Sequence, residues 1–96
     1  MNVDAVRRAA LAALERVEAG EPFETALDTA LAGAPDARAR AFLAELVKGS
    51  LKWRGRYDHL IARLSRRSRA RRPTGLQNVL RLGLHQLLAC EGVPAY

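Results

Sequence analysis

The residues of this sequence whose types and spacing could do chemistry are mainly cations. Between Lys48 and Arg72, ten basic residues accompany one acid, Asp58, so the stretch carries a net charge of +9 in a chain whose total is +6. Two aromatic residues, Trp53 and Tyr57, are interleaved with these cations. Guanidinium forks pair bidentately with phosphate oxygens, and an exposed aromatic ring can stack on an unpaired base. The pattern therefore predicts contact with a nucleic acid.

The predicted RNA-binding residues are cations of this stretch together with two arginines near the N-terminus. They are Arg7, Arg8, Lys48, Lys52, Arg54, Arg56, Arg66, Arg67, Arg69, Arg71 and Arg72. Contact with an anionic membrane or an acidic protein, or a contribution to solubility alone, are the other interpretations. A GC-rich genome would explain the preference for Arg over Lys but not the clustering. Trp53 and Tyr57 are either core residues at a helix junction or base-stacking residues.

Groups for catalysis or metal binding are few. His59 and His85 have no companion Cys or acid at ligand spacing, and no Ser/His/Asp or Cys/His set is evident. We expect His59 on the surface beside Asp58, and His85 on the polar side of its helix as a surface or interface residue. Cys90, the only cysteine, is expected to pack, and it fits a reducing cytoplasm. We therefore expect no enzymatic activity, metal or cofactor in this chain.

The elements that must position these cations are helices. The composition contains 18 Ala and 15 Leu against ten β-branched residues, which favours an all-α fold. Residues 1–96 are expected to form one small domain of about five helices. No apolar run approaches the ~20 residues of a membrane span, and the N-terminus is not typical of a signal peptide.

Capping residues set the expected bounds of the first two helices. The first is predicted from about Asp4, as N-cap, to Ala19, with Gly20 as its stop. The second has Pro22 in its first turn and ends before Gly33.

The next two helices follow from a second N-cap and from the position of glycines. Asp36 is predicted to cap the third helix, whose apolar face contains Ala39, Phe42, Leu43, Leu46, Val47, Ser50 and Leu51. Gly49 lies on that helix, and its predicted use is to admit a crossing helix at close range. A break is predicted at Gly55, before a fourth helix that carries Tyr57, Leu60, Ile61 and Leu64 on one face. The run SRRSRARR from Ser65 to Arg72 is read as a basic loop.

The stretch TGLQNVLRLGLHQLL, residues 74–88, is predicted to be the central helix of the domain. Its apolar stripe at helical spacing contains Leu76, Val79, Leu80, Gly83, Leu84, Leu87 and Leu88. Burying a Leu or Val side chain contributes about 1.5–3 kcal/mol, so we expect this stripe to face the core. Thr74 and Gln77 match a capping box, and Gly92 with Pro94 would end the helix.

Three short runs resemble a known family. Gly49–Ser50–Leu51 is similar to a helical turn written GVLR in that family, Leu82 to Leu88 resembles its LGLYQLL, and Val93–Pro94–Ala95 resembles the VPxxAAVNEAV that opens a further helix. On these residues the chain resembles the NusB superfamily of all-helical RNA-binding domains. The closer likeness is to the N-terminal domain of the RsmB (Sun/Fmu) type of 16S ribosomal RNA 5-methylcytosine methyltransferases.

The resemblance implies a cytoplasmic helical bundle that recognises RNA. In NusB-type antitermination proteins an arginine-rich N-terminal stretch contacts single-stranded RNA beside a ribosomal-protein partner, and Arg7 with Arg8 would take that place. In the methyltransferase type the domain helps to dock ribosomal RNA for a separate catalytic domain that uses S-adenosylmethionine. The residues of such a catalytic domain are not in this sequence.

Members of the family continue past Val-Pro into further helices, whereas this sequence stops at Tyr96. The expectation is a NusB-like bundle without the C-terminal helices, either a fragment of a methyltransferase or a truncated stand-alone regulator. The uncovered apolar stripe would then favour self-association. The leading hypothesis is a non-catalytic module that binds ribosomal RNA; the alternatives are a stand-alone antitermination factor and a protein-docking helical module.

Overall fold

Five α-helices make up the part of the chain that the structure, a computed structural model, describes, namely residues 2–64 and 74–88. They are α1 (Val3–Glu18), α2 (Phe23–Ala32), α3 (Ala37–Lys52), α4 (Arg54–Leu64) and α5 (Thr74–Leu88), and these ranges contain no strand. The predicted all-α bundle is confirmed. Helix α1 packs against α2, α3 and α5, while α4 packs mainly against α5.

Helix α1 begins two residues earlier than the sequence predicts. Asn2 and not Asp4 is the N-cap, and its side-chain oxygen accepts a backbone N–H of the first turn at 3.1 Å. At the other end Gly20 has φ +104°, the left-handed region that favours glycine. The N–H of Glu21 donates to the carbonyl of Arg16 at 3.0 Å, which completes a Schellman ending. The predicted stop at Gly20 is confirmed.

The start of α3 and the corner after it decide where the basic residues lie. Asp36 caps α3 as predicted, with its Oδ1 accepting the N–H of Ala39 at 2.8 Å. The predicted break at Gly55 is wrong, because α3 ends at Lys52 and α4 begins at Arg54. A single residue, Trp53, therefore separates the two helices, and its side chain is exposed.

The hydrophobic core lies mainly between α1, α2 and α3. Its buried members are Val6, Ala10, Ala13, Leu14, Leu27, Ala39, Leu43, Leu46, Val47 and Leu82. Alanine at the crossing points lets these helices approach closely, and Leu82 alone in this cluster comes from α5. The inward face predicted for the third helix is largely confirmed.

Helix α5 is turned differently from the prediction. The leucine stripe expected in the core is exposed to a large extent, with Leu76 and Val79 each 49%, Leu80 36%, Leu87 83% and Leu88 60% accessible. The buried residues of α5 are instead Asn78, Arg81, Leu82 and His85. The predicted inward face of α5 is thus wrong, because polar partners on α1, α3 and α4 bind the other side of the helix.

The predicted capping box at the start of α5 stays a prediction, because the Thr74 side chain lies outside the described part of the chain. The Nε2 of Gln77 donates to Asp58 Oδ1 at 2.9 Å. The predicted stop at Gly92 and Pro94, the packing role of Cys90, and the basic loop 65–72 lie outside the described residues.

Candidate functional site

The corner between α3 and α4 presents an aromatic ring flanked by two cations. Trp53 is 40% exposed. The Nζ of Lys52 lies 5.2 Å from the centroid of its ring, and the guanidinium carbon of Arg56 lies 5.9 Å from the same point. Both distances are within the range of cation–π attraction. The corner therefore holds a positively charged surface around an accessible indole.

A groove runs from this ring along α4 to the end of α5. Its volume is about 480 Å³, and it is lined by Trp53, Arg56, Tyr57, Leu60 and Leu88. The two aromatic residues have different roles, since Tyr57 is only 3% exposed. Tyr57 is therefore a core residue, whereas the Trp53 side chain is exposed at this groove.

Tyr57 fastens α4 to the bundle through a buried histidine. Its hydroxyl shares a hydrogen bond with His85 Nδ1 at 2.7 Å, and His85 Nε2 lies 3.1 Å from Glu45 Oε1. His85 is 1% exposed, so its predicted place at the surface or an interface is wrong. The ring fits against Gly49 of α3, where a Cβ would overlap it. The predicted close approach at Gly49 is confirmed.

Arg81 forms the second fastening of α4. Its guanidinium binds both carboxylate oxygens of Asp58 at 2.7 Å and donates to Glu18 at 3.0 Å and to Asn78 at 2.8 Å. The hydrogen bond from Arg81 lowers the pKa of Asp58, against the opposing effect of burial, and Gln77 adds to the lowering. The hydrogen bond to Asp58 in turn raises the pKa of Arg81. Charged Arg81 and Asp58 therefore join α4 and α5, and Glu18 extends the network to α1.

The predicted RNA-binding residues divide into paired and unpaired cations. Arg54 lies 3.6 Å from Glu18, and Arg7 lies 3.4 Å from Asp4. By contrast, exposed Arg8, Lys48, Lys52 and Arg56 form no ion pair within residues 2–64 and 74–88. Arg66, Arg67, Arg69, Arg71 and Arg72 lie outside the described residues.

The N-terminal arginines line a different groove from the corner cations. Arg7 donates to Gln86 at 3.1 Å, and together with Arg8 it borders an apolar groove of about 250 Å³ between α1 and α5. Val79 and Leu82 lie on the α5 side of this groove. The structure thus brings Lys52 and Arg56 together around Trp53, and it places Arg7 and Arg8 at a second groove.

Metal sites and membrane-spanning helices are both absent from the described residues. No three His, Cys, Asp or Glu side chains there are grouped so that they could hold a metal ion. Among the helices described, none has the length and apolar character needed to cross a membrane. His59 is exposed, as predicted.

Sequence reasoning missed the polar side of α5. Asn78, Arg81 and His85 are spaced i, i+3, i+7, which is the spacing of a buried helical face. Their partners are acids and a tyrosine far away in the chain. Acidic residues on the neighbouring helices were the only sequence feature that could have indicated these contacts. The stronger leucine pattern on the same stretch concealed it.

Comparison with known proteins gives one match. The model of the NusB family matches residues 4–96, which is nearly the whole chain. No curated protein and no solved structure matches the sequence.

Proposed function

The chain belongs to the NusB family, whose domains bind RNA, and from this premise we propose that it is a non-catalytic module that engages ribosomal RNA. The observation that carries the proposal is the set of exposed, unpaired cations at the α3–α4 corner. Lys48 and Lys52 are four residues apart and share a face of α3, and Arg56 follows in the first turn of α4. No carboxylate of the described residues pairs with them, so this charge is available to phosphates.

The charge pattern supports binding over solubility alone. Arg54 and Arg81 show that carboxylates are near enough to neutralise a guanidinium where the fold requires it. The corner cations instead repel one another, and Arg56 also sits near the positive end of the α4 dipole. Phosphates would relieve this repulsion and release counterions, which makes affinity strongly dependent on salt. We propose that the five arginines between residues 66 and 72 also bind phosphates.

We expect reversal of the corner charges to weaken RNA binding. The triple change Lys48→Glu, Lys52→Glu and Arg56→Glu should lower affinity at least about tenfold and reduce the slope of log affinity on log salt by about 2 to 3. Fluorescence anisotropy with a labelled ribosomal RNA hairpin across a salt series measures both quantities. Circular dichroism would verify that the variant folds.

A second triple variant with the same net charge distinguishes an effect of the corner site from an effect of net charge alone. Arg16, Arg38 and Arg40 are also exposed and form no ion pair in the described part of the chain. Changing these three to Glu gives the same net charge, and we expect a clearly smaller loss of affinity. Equal losses in both triple variants would reduce the proposal to non-specific attraction, and no loss in either would refute it.

We also propose a biological context for this RNA binding. We favour a cytoplasmic module that docks ribosomal RNA for an S-adenosylmethionine-dependent cytosine-5 methyltransferase domain. The alternative is a stand-alone antitermination factor that binds RNA together with a protein partner. A reading frame that continues into a Rossmann-type domain would support the first, and dependence of RNA binding on an added ribosomal protein would support the second.

A second candidate, protein docking, is favoured by the exposed apolar side of α5. Leu76, Leu80 and Leu87 are accessible on this helix, and surfaces of this kind commonly mark interfaces. We expect the chain to self-associate at micromolar concentration, and changing these three leucines to Gln should return it to a monomer in sedimentation. Leu64→Gln, at another exposed leucine, is the matched control. A compact monomer of the unaltered chain at all micromolar concentrations would contradict this prediction.

A further inference from the structure

The indole of Trp53 is the feature of the corner that simple phosphate binding leaves unexplained. Large apolar side chains are usually buried, yet this ring is 40% exposed at the one residue between α3 and α4. Its neighbour Tyr57 shows that the same corner can bury an aromatic ring where packing requires it. The ring opens on the groove of about 480 Å³ that Arg56, Leu60 and Leu88 also line.

The contacts of Lys52 and Arg56 with the ring can be exchanged for a ligand. A cation–π contact at an exposed site is weak, whereas stacking of a nucleobase on an aromatic side chain is stronger. A base that approaches the ring would therefore displace a cation from it. A displaced cation could then form an ion pair with a phosphate next to the stacked base.

The arrangement discriminates between single strands and duplexes. In a duplex both faces of each base are covered by neighbouring base pairs, so Trp53 could stack only after a base is unpaired and extruded. In a single strand the bases can be splayed out and stacked at little cost. Phosphate contacts alone do not make this distinction, because both forms of RNA carry the same charged backbone.

We infer that Trp53 is a stacking platform for an unpaired base of single-stranded RNA, with Lys52 and Arg56 holding the phosphates on either side of that base. This inference rests on the proposed RNA-binding function and adds to it the residue that selects an unpaired base. Binding at the corner is therefore directed to loops and unpaired segments, and the apolar groove beside Trp53 receives the nucleotide next to the stacked base.

Trp53 is the only tryptophan in the chain, so intrinsic fluorescence reports on this site directly. The probe is oligouridylate of about 12 nucleotides, compared with the duplex that it forms with oligoadenylate of the same length. We expect the single strand to quench the emission and the duplex to leave it nearly unchanged. In anisotropy measurements with labelled oligouridylate, Trp53→Leu should bind about tenfold more weakly, and Trp53→Phe should recover part of the loss.

The control is Leu64→Ala, which removes exposed apolar surface at the end of α4 opposite to Trp53. We expect it to bind as the unaltered protein does, while its single tryptophan is still quenched. Equal affinity of Trp53→Leu and the unaltered protein would overturn the inference, as would equal quenching by the single strand and the duplex. If binding is nevertheless lost in the charge-reversed corner variant, the proposed RNA-binding function stands without it. Absence of binding to either RNA at low salt would overturn both.

Discussion

Replacing Gly49 with alanine is expected to lower the free energy of unfolding by about 2–4 kcal/mol. The new methyl group would overlap the ring of His85, which is 1% exposed and cannot turn into solvent. The ring must shift, which strains the packing and lengthens its hydrogen bonds to Tyr57 and Glu45. The gain in helix propensity from Gly to Ala, about 1 kcal/mol, offsets only part of this loss. Chemical denaturation followed by circular dichroism measures the difference.

Gly83 supplies a matched control for this experiment. It lies inside α5, and a Cβ added there would meet no atom within 4 Å. Gly83→Ala should therefore stabilise the protein by up to about 1 kcal/mol. The double variant Gly49→Ala with His85→Ala gives a second comparison, since alanine at position 49 should be neutral or stabilising once the ring is absent. Destabilisation by Gly49→Ala that persists without the ring would show that the overlap is not its cause.

Replacing Asp58 with asparagine is expected to destabilise the protein by about 2 kcal/mol near neutral pH. The change removes the carboxylate that accepts two hydrogen bonds from Arg81, and it leaves an amide facing a largely buried guanidinium. Loss of one partner of a fully buried pair costs about 3–5 kcal/mol. Here the Asp58 side chain is 37% exposed and Arg81 keeps Glu18, so solvent and the second carboxylate reduce the effect.

The same variant should alter how stability depends on pH. The hydrogen bond from Arg81 lowers the pKa of Asp58 in the folded protein, so the ionised carboxylate stabilises the folded state relative to the unfolded chain. This contribution is fully present above the unfolded pKa of about 3.9 and is lost as pH falls through the lower folded value. The unaltered protein should therefore lose more stability on acidification below about pH 4 than Asp58→Asn does. Asp28→Asn, at an exposed carboxylate without an ion pair in the described chain, should retain the normal acid dependence. Parallel pH profiles for all three proteins would refute the assigned role.

Local patterns in the sequence predict most of the helices because the forces that set them are local. The Asp36 cap and the Gly20 ending are each determined within a few residues, and the structure confirms both. Gly49, which has no side chain, predicted a close approach, but its partner His85 lies far away in the chain. The junction at Trp53 was placed two residues late because glycine is only one of several ways to break a helix. The apolar faces of α1 and α3 were predictable since Ala, Val and Leu there recur at helical spacing.

The rotation of α5 could not be predicted from its own residues. Most leucines of this helix lie on one side, so the hydrophobic pattern selects the side that the structure leaves exposed. The choice depends on Arg81 meeting Asp58 and Glu18, which are 23 and 63 residues away, and on His85 meeting Tyr57, 28 residues away. These polar contacts form only when the complete bundle is assembled. The candidate site shows the same limit: the sequence marked the basic residues, but the packing of α4 decided which aromatic ring stays accessible.

The two parts of the bundle are held by different forces, and this gives them different responses to temperature. Contacts among α1, α2 and α3 are mainly apolar, whereas α4 is attached through Tyr57, Asp58 and their partners on α5. Apolar burial carries the large heat-capacity change of unfolding and weakens on cooling, and polar burial has the opposite sign. Cold should therefore loosen the three-helix core more than the attachment of α4.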